Sequence, residues 1–484
     1  MNFLFDIRLI FILQSCISTL MLIPAGVSAY YGETSVFLAF VETTAFVYIL
    51  TIISSIITAG NRNRKLSARD GCFMTTVSWI LATVFGAIPL LRSGAYDTFS
   101  KAFFEIMSGF TTTGASVLRD FETCSKGILF WRSMTNWLGG MGFVVLFVAI
   151  FPTLGVGGTM LFGAESVGPT KGKLAPKART TAMALWLIYL GFSVLETLML
   201  LLGGLTPYES VTVTFSTMSC AGFCVKSASI AAFGSAYVDV VVTVFMLIGG
   251  TNFALFFLIF TGKFKQVTRN AELRSYLFIF IVFFVMCSAG LWLTGSYPSL
   301  PAAMRYSAFQ LASILTTTGF ATTNYTVWPV FCQFCVFCMM LIGGCAGSTA
   351  GGMKVIRVRT LVRMSSTEIR LRVHPRGVFP LKNGNEKLDD RTMHSIAAFC
   401  GLYLVIWFFS SLVIAIAGQD FATTLTSTLL TLGNIGIGFG AVSPAGNFLV
   451  FPDWTLWVFS FLMMVGRLEL YTVLIIFSRS FWKG

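Results

Sequence analysis

The chain has 484 residues, of which 56% are hydrophobic and only 11% charged, with a formal net charge of +13. Soluble domains carry roughly 25% charged residues, so a water-soluble fold is excluded. The positive charge does not indicate nucleic acid, because no aromatic-basic interleaving or binding motif accompanies it and it sits in short loops between apolar stretches.

Taken in chain order, the first 31 residues, MNFLFDIRLIFILQSCISTLMLIPAGVSAYY, hold an apolar stretch too long for a signal h-region and read as a retained helix. With the apolar stretch 34–59 it forms a two-helix hairpin, residues 1–70. A hydrocarbon core about 30 Å thick needs roughly 20 apolar residues per helix, and about ten such helices are expected in all. Basic residues cluster at Arg62, Arg64, Lys65 and Arg69, at Lys171, Lys173, Lys177 and Arg179, at Lys263, Lys265, Arg269 and Arg274, and from Lys354 to Arg391. By the positive-inside rule all four clusters face the cytoplasm.

After the hairpin one pattern recurs: basic loop, long apolar span, short half-span, Gly/Thr-rich strip, long apolar span. It divides the chain into repeats at 71–170, 171–268, 269–380 and 381–484. The half-spans, near 98–110, 208–218, 303–315 and 421–431, are about half the length that crosses a bilayer. Each is expected to enter and return. The predicted fold is therefore an all-α integral membrane protein, with an N-terminal helical hairpin and four pseudo-fourfold helix–pore-loop–helix repeats around a central ion pore.

The strips after the half-spans carry Thr112-Thr113-Gly114, Cys220-Ala221-Gly222, Thr317-Thr318-Gly319 and Asn434-Ile435-Gly436, with the glycines 108, 97 and 117 residues apart. Non-helical backbone at membrane depth survives only when buried in protein or lining a wet cavity. Four such segments are expected to converge on one axis. Rings of backbone carbonyls, aided by hydroxyls, replace the water of a cation, and glycine lets successive carbonyls point one way. The strips hold no acidic residue, which favours a monovalent cation over a divalent one. Glu105 and Asp120 flank the first strip; exposed charge at a helix end is the commoner explanation for such residues, and a place in an outer vestibule is the alternative.

Two interruptions fall in the later spans. Five glycines, Gly343, Gly344, Gly347, Gly351 and Gly352, break the span that starts near 326, and the expected result is a broken helix below the strips. Arg467 lies in the apolar span from Phe451 to Phe477, where a charge is costly unless it faces water or a partner. A pair with Glu469, two residues away, would be weak. The eleven cysteines sit mostly in apolar spans, as at Cys332, Cys335 and Cys338, and read as buried free thiols. No convergent catalytic constellation is present, so an enzyme is not expected.

The motifs TTTGAS (111–116), AGF (221–223), TTTGFATTNY (316–325), GGCAGSTAGGMKVIR (343–357), GNIGIG (433–438) and GRLELYTV (466–473) are together specific. On them the sequence resembles the TrkH/TrkG family of bacterial potassium uptake proteins, in the superfamily that also contains KtrB and fungal Trk, over nearly the whole chain. The resemblance implies K+ as the transported ion, bound mainly by backbone carbonyls of the twelve strip residues, and no organic cofactor. It makes 343–352 an intramembrane gating loop and Arg467 an electrostatic barrier in the permeation path. It further implies a homodimer in the bacterial inner membrane and a cytoplasmic TrkA-like nucleotide-binding regulatory subunit, which would dock on the basic stretch 354–391. None of the strips is the TVGYG of tetrameric channels, and fewer hydroxyls imply looser selectivity. Passive, channel-like conduction is the expectation, with proton- or sodium-coupled symport the alternative.

Overall fold

The computed structural model describes residues 3–58, 67–142, 178–383 and 386–482. The basic residues Arg62, Arg64, Lys65, Lys171, Lys173 and Lys177, and the first repeat's second span beyond residue 142, lie outside them. Helices α1 (Phe3–Leu20) and α2 (Leu22–Tyr30) form one 28-residue apolar span, which returns through α3 (Thr34–Ile57). This hairpin packs on α4 (Ala68–Arg92), the first helix of repeat one. Covered in this way, α4 is mostly buried along its apolar window, in contrast with its counterparts α7 (Ala178–Leu202), α11 (Ala271–Leu293) and α15 (Asp390–Ala415). Those three turn Leu187, Phe278 and Phe408 outward, as helices that meet lipid do.

Each first helix is followed by a half-length helix: α5 (Phe99–Phe110), α8 (Pro207–Met218), α12 (Leu300–Leu315) and α16 (Phe421–Gly433). Local chemistry fixes where three of them start. Thr206 and Glu209 form a capping box with Pro207 at the first helical position, Ser299 accepts from the Ala302 amide, and Asp420 accepts from the Thr423 amide. All four are buried along most of their length.

The second helices begin as α6 (Lys126–Gly140), α9 (Ala236–Gly249), α13 (Val330–Met340) and α17 (Asp453–Arg467). Each packs on the half-helix of the next repeat: α6 on α8, α9 on α12, α13 on α16, and α17 back on α5. That last contact closes the circle. The fold is an N-terminal hairpin followed by four repeats around one axis, and the residues that define the repeat are all in the interior.

Two expectations need correction. The broken helix of repeat three is not alone, because α9 turns by 94° into α10 (Phe253–Phe260) and α17 turns by 117° into the segment Leu470–Phe477. The apolar run from Phe451 to Phe477 is thus one bent span and not a continuous helix. Among the described residues six helices are long and apolar enough to cross a membrane, or eight if each bent pair is one span. Helix α14 (Val355–Val373) leaves the broken span of repeat three, and the described residues add one short hairpin, Lys382–Asn383 with Glu386–Lys387.

Candidate functional site

Each half-helix ends in the same way. The amides of Thr113, Ala221, Thr318 and Ile435 donate back to the carbonyls of Ser108, Ser216, Ser313 and Leu430, at 2.8, 3.0, 2.7 and 2.9 Å. A bond spanning five residues requires a left-handed residue just before the donor, the arrangement that commonly closes a helix C-terminus. Thr112, Cys220, Thr317 and Asn434 occupy it, with φ between 54° and 58°. Two residues on, Gly114, Gly222, Gly319 and Gly436 again have positive φ, from 75° to 88°. Glycine and asparagine enter this region readily, but β-branched threonine does so at a cost of about 1–2 kcal/mol. Backbone strain of this kind, in two of the four strips, concentrates where geometry serves a function.

The strips also meet in cyclic order. A Cβ added to Gly114 would lie 1.8 Å from the carbonyl oxygen of Ala221; on Gly222, 2.0 Å from that of Thr318; on Gly319, 2.2 Å from that of Ile435; and on Gly436, 2.4 Å from that of Thr113. Every glycine therefore abuts the carbonyl one position before the glycine of the next repeat, and the fourth abuts the first. Only glycine permits so close an approach. The twelve predicted residues thus form one closed ring, and all four glycines line a single cavity with Ser116, Arg119 and Lys226.

Side chains brace the ring from behind. Thr111 and Thr113 share a hydroxyl hydrogen bond of 2.9 Å, Thr316 and Thr318 one of 2.7 Å, and the Asn434 amide donates to the Thr113 hydroxyl at 2.9 Å. Glu105 is not a vestibule carboxylate. It is fully buried, pairs with Arg132 at 2.6 Å, and accepts from the Ser116 hydroxyl and the Val117 amide, so it anchors the end of the first strip. The Arg132 guanidinium also lies 4.2 Å over the Phe223 ring, which belongs to the second strip. Asp120 is exposed and caps its own turn at the amides of Glu122 and Thr123.

Directly against the ring, on the side away from that cavity, lies the loop 341–354. Gly351 donates its amide to the Thr317 hydroxyl at 2.6 Å and Gly352 donates to the Gly433 carbonyl at 2.9 Å. The Thr349 hydroxyl donates to Met218 and Gly249 carbonyls at 2.9 and 3.0 Å and touches the Cys220 sulfur at 3.2 Å. The loop therefore occupies carbonyls at the C-terminal ends of α8 and α16, groups that would otherwise present partial negative charge to a cation. A Cβ at any of the five predicted glycines would approach another atom to between 2.3 and 2.9 Å: Gly343 and Gly351 at backbone carbonyls, Gly344 at Ala350, Gly347 at Asn252, Gly352 at Gly343.

Arg467 ends α17 at the bend, buried, and donates to the carbonyls of Thr349 (2.7 Å), Gly139 (2.6 Å) and Gly140 (2.5 Å). It thereby joins the loop of repeat three to the end of α6. Sequence reasoning missed two basic neighbours. Lys354, read as the start of the cytoplasmic charge, is instead buried, has φ +76°, and hydrogen-bonds the Ala350 carbonyl. Arg357 is buried too, paired with Glu469 at 2.7 Å. Lys354, Arg357, Arg467 and Glu469 line one small cavity with Ala350, Gly351 and Gly352. Their position in an apolar surrounding was a usable signal only for Arg467. The others sit at the end of a glycine loop, where charge normally marks the membrane surface.

A buried ring of backbone carbonyls at the centre of a multi-pass helical bundle defines a membrane transport protein for a small cation. The chain belongs to the TrkH family: the family model described as a cation transport protein matches residues 39–483. The Trk system potassium uptake protein TrkH of Escherichia coli K12 is 35% identical over 488 residues, with all of both chains covered, and that of Salmonella typhimurium LT2 is equally similar. TrkG of Escherichia coli K12 is 35% identical over 467 residues, covering 96% of this chain and 95% of its own. The crystal structure of the potassium transporter TrkH from Vibrio parahaemolyticus superposes with a TM-score of 0.88 at 34% identity, covering all of both chains. The family is one of transporters and not of enzymes. Among the described residues no group of three or more His, Cys, Asp and Glu could hold a metal ion.

Proposed function

We propose that this chain takes up potassium across the bacterial inner membrane through a gated, channel-like pore whose selectivity filter is the ring of Thr112–Gly114, Cys220–Gly222, Thr317–Gly319 and Asn434–Gly436. The observation that carries the proposal is the cyclic approach of each glycine to the next repeat's carbonyl, because it puts four carbonyls at equivalent positions around one axis. The ion sheds water for those oxygens as it enters. The loop 341–354 and Arg467 then stand as steric and electrostatic obstacles on the far side. Cys220 and Asn434, where repeats one and three have threonine, support a filter that also passes rubidium and some sodium.

Homodimerisation and a TrkA-like nucleotide-binding subunit complete the proposal. The subunit's docking site would be the exposed face of α14, which carries Ile369 and Val373 among its basic residues. Membrane lipid covers the perimeter helices.

The test is flux into liposomes under an imposed potassium gradient, with and without a pH gradient. Uptake is expected to stop at electrochemical equilibrium, to rank potassium and rubidium above sodium and lithium, and to rise in Arg467→Ala. Accumulation beyond equilibrium, or an unchanged rate in Arg467→Ala at equal protein density, would sink it.

One observation favours the second reading, proton-coupled symport. Glu196 in α7 is fully buried beside the half-helix of repeat two, next to the Thr217 hydroxyl. Ionisable groups in spans frequently mark proton paths. Under symport, a pH gradient drives potassium uphill and Glu196→Gln abolishes that coupling.

A further inference from the structure

The two obstacles beneath the ring are tied together at two points. Within the loop the Arg467 guanidinium holds the Thr349 carbonyl. Just past its C-terminal end, Arg357, in the first turn of α14, pairs with Glu469 at 2.7 Å, with Arg357 only 5% and Glu469 22% exposed in the side chain. Glu469 lies in the 117° bend and has φ +58°, an unusual conformation for a glutamate. The Arg357 guanidinium also stacks at 3.7 Å on the ring of Phe399, from α15. Two elements of repeat four thus grip one side chain of repeat three, neither of them through the strips.

We propose that Arg357 and Glu469 form a clasp that couples withdrawal of the loop 341–354 to movement of the bend at 467–470, so that the two obstacles clear the pore together. The proposal rests on the conduit reading above. The geometry supports it because α14 continues directly from the loop: moving α14 away from the bend must both break the Arg357–Glu469 pair and pull the Gly351 and Gly352 amides from Thr317 and Gly433. A buried ion pair contributes little net stability compared with apolar packing, but removing one partner strands the other. Such a pair suits a two-position device better than a permanent brace. Lys354 and Arg467 share the same small cavity, in which Glu469 is the one acidic group among the described residues, and loss of its charge also raises repulsion between the loop and the bend.

Arg357 and Glu469 are positioning residues in this scheme, and the experiment is a charge-swap cycle. Rubidium flux is measured in liposomes containing the full chain without a regulatory subunit, for wild type, Glu469→Gln, Arg357→Gln, the double variant, and the swap Arg357→Glu with Glu469→Arg. Each single variant is expected to raise flux roughly fivefold or more, the double variant to conduct no faster than the faster single, and the swap to return towards the wild-type rate. Phe399→Leu, which removes only the stacked ring, is expected to raise flux roughly twofold. Independent, multiplying effects of the two singles, or a swap that conducts no more slowly than the singles, would overturn the clasp. Arg467→Ala separates the two readings. If it conducts faster than wild type while Glu469→Gln does not, the clasp alone fails; if neither wild type nor Arg467→Ala exceeds empty liposomes, the conduit reading fails and the clasp with it.

Discussion

The ring and the layer beneath it are built on opposite rules. In the ring four different sequences adopt one backbone, with left-handed residues at equivalent places and each glycine pressed against its neighbour's carbonyl. In the layer below, each described repeat does something different: α6 ends by offering the Gly139 and Gly140 carbonyls, α9 bends into α10, α13 gives way to a glycine loop, and α17 ends in Arg467. On the proposed reading, symmetry is kept where several equivalent oxygens would surround one ion, and abandoned where a single side chain or loop would suffice to obstruct.

If that contrast is right, damage to the ring is intolerable and damage below it changes rates. The largest effect is expected from Gly114→Ala or Gly222→Ala, whose methyl groups would overlap a carbonyl of the next strip. Both should abolish flux and lower the melting temperature in detergent. Next, Glu105→Ala strands the buried Arg132, at a cost of about 3–5 kcal/mol, and should appear as a large drop in thermal stability. Equal stability in Glu105→Ala would mean that the first strip needs no anchor.

Gly351→Ala places a methyl group 2.3 Å from the Gly433 carbonyl, in the loop and not in the ring. It should displace the loop and raise basal flux several-fold, with ion selectivity preserved; a change of selectivity instead would break the distinction between the two layers. The smallest effect is expected at the start of the fourth half-helix. Asp420 caps α16, and its bonds to the Thr423 hydroxyl and amide hold its carboxyl below the usual range. Asp420→Ala should cost about 1 kcal/mol. In wild type this contribution is present above the ordinary carboxylate range near pH 4 and is lost as pH falls through the lowered folded-state value, which a melting series from pH 6 to pH 3 would reveal.

The half-helices were the most legible elements. The expected ranges 208–218 and 421–431 correspond to Pro207–Met218 and Phe421–Gly433, because half-length apolar segments bounded by TPYE or by an aspartate cap leave few alternatives. The glycine of each strip was legible for the same reason that glycine marks any close approach. The threonines at positive φ were not, since propensity argues against threonine there and only the convergence of four repeats imposes it. The bends at 249–253 and 467–470 were hidden by continuous hydropathy. Lys354 and Arg357 were hidden by their neighbours, a basic run that normally lies in water, and their true partners are supplied by Ala350 of the loop and by Glu469, over one hundred residues away.

The inequality of the strips has an evolutionary corollary. Where four identical chains surround an ion, one codon change alters all four walls at once, and most such changes are fatal. Here Cys220 and Asn434 each occupy one quarter of the ring, with a threonine hydroxyl beside each, Thr349 at Cys220 and Thr113 at Asn434. A single-chain ring can therefore be retuned one wall at a time, so drift in ion preference can proceed through small viable steps.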